Sequence, residues 1–464
     1  MSRLGKLISK GIQKDLEVDD YNYIYQHCLK PDDYLKSLKN HQKGYFKMLK
    51  VNHAHDHLKK DLFQEFSIMG HVFQNFSKKI DEQDNEKKIL EHLKAYHFEV
   101  YYLKKIKKDY ENYMLEIGIE DIKTFKDFYG CVGILKGGKP GKTVLLRADI
   151  DALPVLEKTG LPFASKIEGK MHACGHDNHI AMLLGAAKIL FDMKDEIAGT
   201  VKFLFQPAEE LAVGAKAVVE QGVMDDVDAC YGIHIWSMVD SPKINMEIGE
   251  RMASCDNFKI TIKGFGSHGS APHLGHDAIV AASGVIMGLQ TIVSRINNPL
   301  NAAVITIGVV DAGQRFNIIA DKAVLEGTVR TFNKKFRMEI EGLIRQISND
   351  IAAGYQCTAE TEYSYLTGAV INEDQHLVDI AQNAVKKLYG EDGLTELEKM
   401  TGSEDFAYLM EKAPGVYGFI GARNPAIPGS EKSNHHECFT VDEEALRRGA
   451  AVAAQFAFDF LTEK

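Results

Sequence analysis

The chain has 464 residues, of which 45% are hydrophobic and 26% charged, a composition typical of a globular protein with two or more domains. Its formal net charge of −10, without a dense basic run, disfavours nucleic acid or an anionic membrane as a partner. We find no apolar run approaching the roughly 18 residues of a membrane span and no signal core at the N-terminus. Seven scattered cysteines indicate a reducing compartment, so we expect a cytoplasmic protein.

Residues 1–115 differ in composition from the rest of the chain. They contain only four glycines and one proline, which predicts a mostly helical segment, most regular at Asp84–Lys94. His53, His55 and His57 could bind a metal, but alternating histidines in a charged stretch are more commonly incidental. We therefore assign no chemistry to this segment.

From Gly130 onward, short apolar runs alternate with helical segments. The runs at 131–135, 143–149, 200–205 and 229–235 are typical of buried strands, and the alternation predicts an α/β fold with a mainly parallel sheet. Functional side chains collect at the carboxyl ends of such strands. The candidates there are Asp149, Asp151, Glu209, Glu210 and His234.

The order of elements changes between residues 253 and 366. Strand, helix, two strands, helix and strand follow one another, which is the βαββαβ order of a ferredoxin-like unit. Helices near 374–388, 403–411 and 442–462 then surround a strand at 416–420. We predict a catalytic domain of residues 116–252 and 367–464 with the ferredoxin-like domain, 253–366, inserted into it.

The stretch Met171–His179 carries the strongest chemical signal. Cys174 and His176 are metal ligands separated by one glycine, and an apolar helix follows, with Asp177 or Asn178 placed to cap it. A thiolate and an imidazole on a tight turn can bind a divalent cation. Core packing alone would not require them.

Further candidate ligands follow at strand ends. In the pair Glu209–Glu210, one carboxylate can bind a metal while the other takes a proton from bound water. A polar helix start is the alternative. His234 near the end of an apolar strand could be a satisfied core histidine, and His435 and His436 supply further donors.

Several linked motifs between residues 115 and 464 resemble the amidohydrolase branch of the dinuclear metallopeptidases. This branch includes hippurate hydrolase, bacterial N-acyl-amino-acid deacylases, N-acetyldiaminopimelate deacetylase and plant indole-3-acetyl-amino-acid hydrolases. The motifs that carry the resemblance are Leu145–Pro154, His172–His179, Gln206–Glu210, Gly264–His273, Gly308–Asn317, Gly327–Arg330 and Thr401–Phe406.

The resemblance implies two divalent cations per subunit, which could be zinc, manganese or cobalt, and a homodimer or higher homo-oligomer. Family members place the last ligand four residues before a phenylalanine, which selects His435 over His436. Glu209 takes the role of general base. The implied ligands are Cys174, His176, Glu210, His234 and His435.

The resemblance also assigns the residues around the ligands. Asp149 is doubtful as a ligand, and Asp151 orients the ligands instead. His268, in the inserted domain, resembles a residue that reaches the substrate carbonyl, in many members from the partner subunit. Asn317, Arg330 and Gly402 match positions near the carboxylate end of the substrate, although Arg330 could instead form a structural ion pair.

The implied activity is metal-dependent hydrolysis of the amide bond in N-acyl amino acids. A dipeptidase or carboxypeptidase acting on short peptides could use the same centre. A catalytically silent binding protein is a third possibility, because the family's Arg-Arg-x-x-His-x-x-Pro-Glu stretch is not found before Gly118.

Overall fold

The structure is a computed structural model, and it describes residues 110–126 and 128–463. Apart from residues 160–163, this part of the chain belongs to one compact unit. The histidine triplet at 53–57 and the helix expected at Asp84–Lys94 lie outside the described residues.

Within the described residues, the strands form three sheets, of seven, four and two strands. In chain order they are β1 (Asp121–Thr124), β2 (Cys131–Lys136), β3 (Lys139–Asp149), β4 (Ala198–Gln206), β5 (Ala229–Asp240), β6 (Ile244–Asn245), β7 (Gly249–Met252), β8 (Asp256–Lys263), β9 (Ala303–Ala312), β10 (Lys322–Thr331), β11 (Thr358–Tyr365), β12 (Val370–Asn372) and β13 (Gly415–Arg423).

The α-helices lie mainly between these strands. In chain order they are α1 (Tyr110–Ile117), α2 (His176–Asp192), α3 (Gly214–Glu220), α4 (Ala278–Thr291), α5 (Lys334–Gly354), α6 (Gln375–Tyr389), α7 (Ala407–Met410) and α8 (Glu444–Thr462). A π-helical turn, Ile292–Ile296, continues α4.

The seven-stranded sheet has the order β1-β2-β4-β3-β5-β13-β6. The four central strands, β4, β3, β5 and β13, are mutually parallel, whereas β1, β2 and β6 are antiparallel to their neighbours. Helices α2 and α8 pack together beside this sheet, and α3 contacts β4 and α7. The α/β prediction is confirmed, in a sheet that is parallel at its centre and mixed at its edges, and the parallel core places the ends of β3, β4 and β5 along one edge.

The four-stranded sheet has the order β11-β8-β10-β9, with all pairs antiparallel. Helices α4 and α5 pack against each other, and α4 contacts the sheet, so that Ile260, Leu325, Val285 and Ile344 share one apolar core. This is the ferredoxin-like βαββαβ unit that the sequence predicts.

Two local predictions are wrong. Helix α2 begins at His176 rather than after His179, and neither Asp177 nor Asn178 caps it, because Gly175 adopts a left-handed conformation (φ 91°) that turns the chain directly into the helix. The helix expected at 403–411 is restricted to Ala407–Met410.

A further correction concerns apolar runs. The helical stretch Ala278–Ile296 has a mean hydropathy of 1.6 and is long and apolar enough to cross a membrane. Length and composition do not distinguish a membrane span from a helix that packs on a sheet, and α4 packs one side onto the ferredoxin-like core.

Candidate metal centre and active site

A tight turn places Cys174 and His176 at the mouth of α2. The backbone N–H of Gly175 donates to the carbonyl of His172 (3.0 Å), and His176 is the first residue of the helix. A Cβ on Gly175 would lie 2.5 Å from the Ile235 side chain, and its φ is left-handed, so a larger residue would displace the turn. Gly175 therefore fixes the positions of Cys174 and His176 on either side of it.

Cys174 lies at the centre of a group of potential ligands. Its Sγ is 3.4 Å from His234 Nε2 and 3.2 Å from His435 Nε2. His435 Nε2 is also 3.3 Å from Glu210 Oε1. The ligand atoms of Cys174, Glu210 and His435 lie within 4.8 Å of one another. Residues from three separate parts of the chain therefore converge on one point.

The segment that carries His435 is held against the Cys174 turn. The backbone N–H of His435 donates to Ala173 O (2.8 Å), and the Asn434 amide donates to Cys174 O (3.0 Å). His435 itself has a positive φ of 73°, which is costly for a non-glycine residue. His436 instead accepts a hydrogen bond from the Cys438 N–H through Nδ1. The structure thus brings His435 into the group rather than its neighbour.

Asp151 contacts two of the candidate ligands. Its Oδ1 lies 3.2 Å from His176 Nδ1, and its Oδ2 accepts the backbone N–H of Glu210 (3.0 Å). With Nδ1–H donated, His176 presents Nε2 to the site, close to Glu209 and Glu210. This is the geometry of a residue that orients ligands.

Asp149 is completely buried, and its Oδ2 lies 3.5 Å from His176 Nε2, in a buried group that also contains His179 and His234. Its Oδ2 accepts from Arg147 Nη1 (2.6 Å), and its Oδ1 bonds to His179 Nδ1. Burial raises the pKa of Asp149, but Arg147, His176 and His179 outweigh it and hold the pKa well below its usual range. His179 Nε2 in turn accepts the backbone N–H of Ile235 (2.9 Å). Sequence reasoning assigned no role to His179, which ties β3 to β5 beneath the site.

The pKa values of His234 and His435 are shifted in opposite directions. Burial and the neighbouring His179 lower the pKa of His234 well below its usual value, which leaves the neutral imidazole that metals bind. Its Nδ1 donates to Ile235 O (2.7 Å), so the lone pair of Nε2 is directed at Cys174 Sγ. Hydrogen bonds to Cys174 and Glu210 raise the pKa of His435 to about 10. The local field at His435 therefore favours positive charge.

Glu209 lies on a constrained turn beside these residues. Ala208, before it, has a φ of 54°, and its carbonyl accepts the N–H of Gly214 (3.2 Å), while the Glu209 carbonyl accepts that of Ala212 (2.7 Å). Burial, then the charges of Glu404 and Asp405, raise the pKa of Glu209 well above its usual value. A buried carboxyl with a raised pKa is suited to accept and return a proton.

Beneath Glu209 lies a buried charge network that sequence reasoning missed. Arg147 donates to Glu404 (2.8 Å), Asp405 (3.1 Å) and Gln206 (2.9 Å), in addition to Asp149. The position of Arg147 inside an apolar strand could have predicted this network, because a charged residue in such a strand needs buried partners. Three acidic residues share this one guanidinium, and burial, with the charge of Glu404, raises the pKa of Asp405 to about 8.

His268 and Asn317 lie on two paired loops of the ferredoxin-like unit. The backbone N–H of Gly269 donates to Asn317 O (2.8 Å), and His268 pairs with Ile318. His268 Nδ1 accepts from the N–H of Ser270 (3.1 Å), which leaves Nε2 to carry the proton and donate. Within residues 110–126 and 128–463, no hydrogen bond or ion pair joins His268 or Asn317 to the candidate ligands.

Arg330 and Gly402 lie close together: Arg330 is on β10 of the four-stranded sheet, and Gly402 contacts the segment after β7 of the two-stranded sheet. Arg330 Nη1 donates to Ser403 Oγ (2.6 Å), and Gly402 O accepts the backbone N–H of Ala253 (2.8 Å). No carboxylate in the described part of the chain forms an ion pair with Arg330, so the ion-pair alternative has no partner there. Ser403 is followed by Glu404, which links this corner to Arg147.

The donor set fits divalent metal ions. His176 Nε2 is buried without a hydrogen-bond partner among the described residues, and the buried Glu210 Oε1 lies 3.3 Å from His435 Nε2. A buried thiol, two imidazoles and a carboxylate next to an acidic network would be costly without cations, because uncompensated buried charge is strongly unfavourable. Thiolate and imidazole are ligands for zinc and related transition metals, and carboxylates also suit manganese.

Comparison with known proteins agrees with this chemistry. Residues 145–459 match the model of peptidase family M20/M25/M40. An N-acetylcysteine deacetylase from Bacillus subtilis is 41% identical over 77% of this chain and 91% of its own length. A thermostable carboxypeptidase from Saccharolobus solfataricus is 40% identical over 71% of this chain and 83% of its own length.

A solved structure shares the fold. A dinuclear metal-binding peptidase of the M20 family from Bacillus subtilis has a TM-score of 0.68 and 35% identity, covering 79% of this chain and 99% of its own. The family match spans most of the chain, including all the candidate ligands. The chain therefore belongs to peptidase family M20/M25/M40.

Proposed function

We propose that this metal-dependent hydrolase uses metal-activated water to cleave the amide bond of N-acyl amino acids, with Glu209 as general base. The observation that carries the proposal is the convergence of Cys174, Glu210 and His435 within 4.8 Å, with Glu209 and His176 alongside. N-acetylcysteine is the substrate named for one relative, which supports an N-acyl amino acid here.

We assign Cys174, His176, Glu210, His234 and His435 as ligands for two divalent cations. When bound, such cations lower the pKa of water and polarise a carbonyl. The thiolate favours zinc, and the adjacent carboxylates also suit manganese or cobalt. Asp151 orients the His176 imidazole and the Glu210 backbone, so that both side chains would be held in position for a cation.

Glu209 then has one task, to move a proton. Its carboxyl takes the proton of the attacking water and delivers it to the departing amino group, as a positioned general base and acid does. Burial beside Glu404 and Asp405 keeps its pKa high enough for both steps. The turn from Glu209 to Ala212 holds the Glu209 carboxylate in place, and Glu210, whose Oε1 lies 3.3 Å from His435 Nε2, would serve as a ligand.

The remaining residues serve the substrate. Arg330 and Gly402, brought together by Ser403, receive the carboxylate of the amino acid, with Asn317 contributing a polar contact. His268 Nε2–H stabilises the oxyanion that forms at the acyl carbonyl; one such donor is worth about 10²–10³ in rate.

We propose a homodimer that forms through the ferredoxin-like unit, residues 253–366. Strand β9 is an edge strand, and Val309 and Val310 on it are at least half exposed. Met287 and Ile296 on the adjacent helical stretch are also exposed. A second copy that meets this edge and the adjacent helical stretch would cover these exposed side chains.

Six free cysteines in the described residues support a reducing compartment such as the cytoplasm.

The second candidate function is a dipeptidase or carboxypeptidase. The carboxypeptidase from Saccharolobus solfataricus, at 40% identity, favours it, because the same centre hydrolyses a peptide bond. A silent binding protein has no use for Glu209 next to Glu210, and their pairing supports an enzyme.

The deciding experiment measures kcat/KM on N-acetyl and N-benzoyl amino acids, dipeptides and longer peptides after loading with zinc, manganese or cobalt. We expect the N-acyl amino acids to be cleaved fastest and a chelator to abolish turnover. Faster cleavage of peptides would replace the proposal with the second candidate. No turnover of any substrate by metal-loaded protein would contradict both.

A further inference from the structure

The two ring nitrogens of His268 have different surroundings. Its Nδ1 lies 3.1 Å from the backbone N of Ser270 and 2.7 Å from the Ser270 Oγ. Its Nε2 makes no hydrogen bond to any residue that the structure describes, and the side chain is exposed. One serine therefore supplies both polar contacts of the ring, and both are on the same nitrogen.

The contacts with Ser270 decide which nitrogen of the neutral ring carries the proton. A backbone N–H can only donate, so Nδ1 has to offer its lone pair. The serine hydroxyl can rotate to donate to the same lone pair, and at 2.7 Å it makes the shorter of the two contacts. The opposite tautomer would direct Nδ1–H at the Ser270 N–H. The neutral ring is therefore held as the Nε2–H tautomer.

The loop forms this arrangement by itself. The carbonyl of His268 accepts the N–H of Ala271 (2.7 Å), which closes a tight turn with Gly269 and Ser270 at its centre. Gly269 N–H donates to Asn317 O (2.8 Å) on the neighbouring loop, and a Cβ on Gly269 would lie only 2.9 Å from that oxygen. Because His268 and Ser270 lie on the same turn, their contact requires neither a substrate nor a second copy of the chain.

A fixed tautomer matters for the role that the proposed function gives to His268. An oxyanion is stabilised best by a donor that is already in place when the charge develops, because reorientation would cost part of the stabilisation. Nε2–H is such a donor. It forms a hydrogen bond to the acyl oxygen and keeps its proton, while Glu209 moves the proton of the attacking water. The opposite tautomer would present a lone pair to the oxyanion instead.

We propose that Ser270 is a positioning residue for this reaction. It acts through His268, which its hydroxyl and backbone N–H together hold as the neutral Nε2–H tautomer. The expected effect of Ser270 on turnover rests on the proposed function, whereas the tautomer is a property of the loop alone. The two can therefore be tested separately.

The kinetic test uses the metal-loaded full-length enzyme. Ser270→Ala should lower kcat about three- to tenfold at nearly constant KM, as the loss of one ordinary hydrogen bond does. Ser270→Thr keeps the hydroxyl and should keep kcat near the wild-type value. In the His268→Ala background, Ser270→Ala should have no further effect, because a residue that acts through another loses its role with it. Ser283→Ala on α4, whose hydroxyl donates to Val280 O (2.7 Å), is the matched control and should leave kcat unchanged.

The second test does not depend on turnover. Nitrogen-15 NMR of the histidine side chains distinguishes the two neutral tautomers, and comparison with His268→Ala identifies the signals of His268. Spectra are recorded at about pH 8.5, well above the ordinary imidazole pKa of about 6.5. We expect the Nε2–H tautomer in the wild type and a mixture of both tautomers in Ser270→Ala.

Three results would overturn the proposal: an Nδ1–H tautomer in the wild type, an unchanged tautomer or kcat in Ser270→Ala, or an equal fall in kcat on Ser270→Ala with and without His268. Thermal unfolding midpoints equal to that of the wild type show that a fall in kcat is not a loss of fold. A wild type that cleaves neither N-acyl amino acids nor peptides contradicts the proposed function, and the NMR spectra then still decide the tautomer.

Discussion

Two regions hold their polar side chains in different ways. One is the edge of the seven-stranded sheet that carries the candidate ligands and Arg147, here called the metal edge. The other is the pair of loops in the ferredoxin-like unit that carry His268 and Asn317. At the metal edge, Asp149, Arg147 and Glu404 are buried and bonded to one another. On the loops, the His268 side chain is hydrogen-bonded to Ser270, and Phe316 beside Asn317 is 95% exposed. The metal edge is organised within one chain. In the proposed function, the loops present groups that meet the substrate, either in the same chain or in a second copy.

This difference has a physical cause. A metal site requires ligand positions fixed to within fractions of an ångström, which buried ion pairs and hydrogen bonds provide. Substrate groups must enter and leave, so the residues that meet them stay accessible until binding. We therefore expect substitutions at the metal edge to lower turnover or stability strongly. Substitutions on the loops should affect the reaction of the substrate without affecting stability.

The largest effect is expected for Glu209→Gln. Removal of the base should lower kcat about 10²–10⁴-fold, the range for general acid–base catalysis, while metal content stays unchanged because the ligands remain. Turnover and elemental analysis measure the two quantities. Glu437→Gln, an exposed carboxyl paired with Lys158, is the control. Near-normal turnover in Glu209→Gln would remove this residue from the mechanism.

Arg147→Met tests whether the buried network holds the metal edge. Loss of the guanidinium leaves Asp149, Glu404 and Asp405 uncompensated, and breaking a buried ion pair costs about 3–5 kcal/mol. Urea unfolding at fixed metal concentration measures the change. Arg423→Met is the matched control, because its pair with Asp240 is exposed. Equal stability of the two variants would mean that the network is not structural.

His268→Ala tests the loops. We expect kcat to fall about 10²–10³-fold, as when one oxyanion donor is lost, without loss of stability or metal. Subunit mixing shows which chain supplies the residue. In a dimer of His268→Ala with Glu209→Gln, one intact site forms only if His268 acts on its partner's centre. Random mixing should then restore about a quarter of the wild-type activity, since half the dimers carry one intact site of two.

If mixing restores nothing while His268→Ala alone is inactive, the residue acts within its own chain. If His268→Ala is fully active, the loops do not supply a group that acts on the substrate.

Cys174→Ser should weaken metal binding. Changes to residues that merely support ligands cost about 10–100-fold in affinity, so the loss of a central ligand should cost at least as much. Titration with a competing chelator measures the affinity. Cys438→Ser provides the control, since this cysteine is partly exposed and lies outside the ligand group. An unchanged affinity in Cys174→Ser would exclude the thiolate from the centre.

The smallest effect concerns pH and lies away from both regions. Burial raises the pKa of Glu247, but hydrogen bonds from Asn245, Leu397 N–H and Arg251 outweigh it and leave the pKa below its usual value. A depressed folded-state pKa adds stability above the unfolded pKa of about 4.3, and this stability is lost as pH falls through the lower, folded value. Glu247→Gln should therefore show a shallower fall in urea midpoint between about pH 5 and 3.

The exposed carboxyl of Glu220 on α3 offers the control, as Glu220→Gln. Identical pH profiles for Glu247→Gln and the wild type would show that these hydrogen bonds contribute nothing to stability.

Much of the fold was predictable because periodicity is local. The buried runs of β3, β4 and β5 and the βαββαβ order follow from residues close in sequence. The edge strand β1, with its pattern of exposed polar residues, and the two-residue β6 carry no such signal. The start of α2 was missed because a left-handed glycine, rather than a capping side chain, begins the helix.

The sequence by itself determined the chemical types at the site: a thiol, imidazoles and paired carboxylates at the ends of predicted strands, and the family to which they belong. Only the tertiary structure decided which of them meet. It brought His435, which the family pattern had selected, next to Cys174, turned Asp149 toward Arg147 and His179, and placed Glu209 above Glu404 and Asp405. Ligand chemistry is a property of single residues, whereas the contact between Cys174 and His435, 261 positions apart, depends on how the sheet edge assembles.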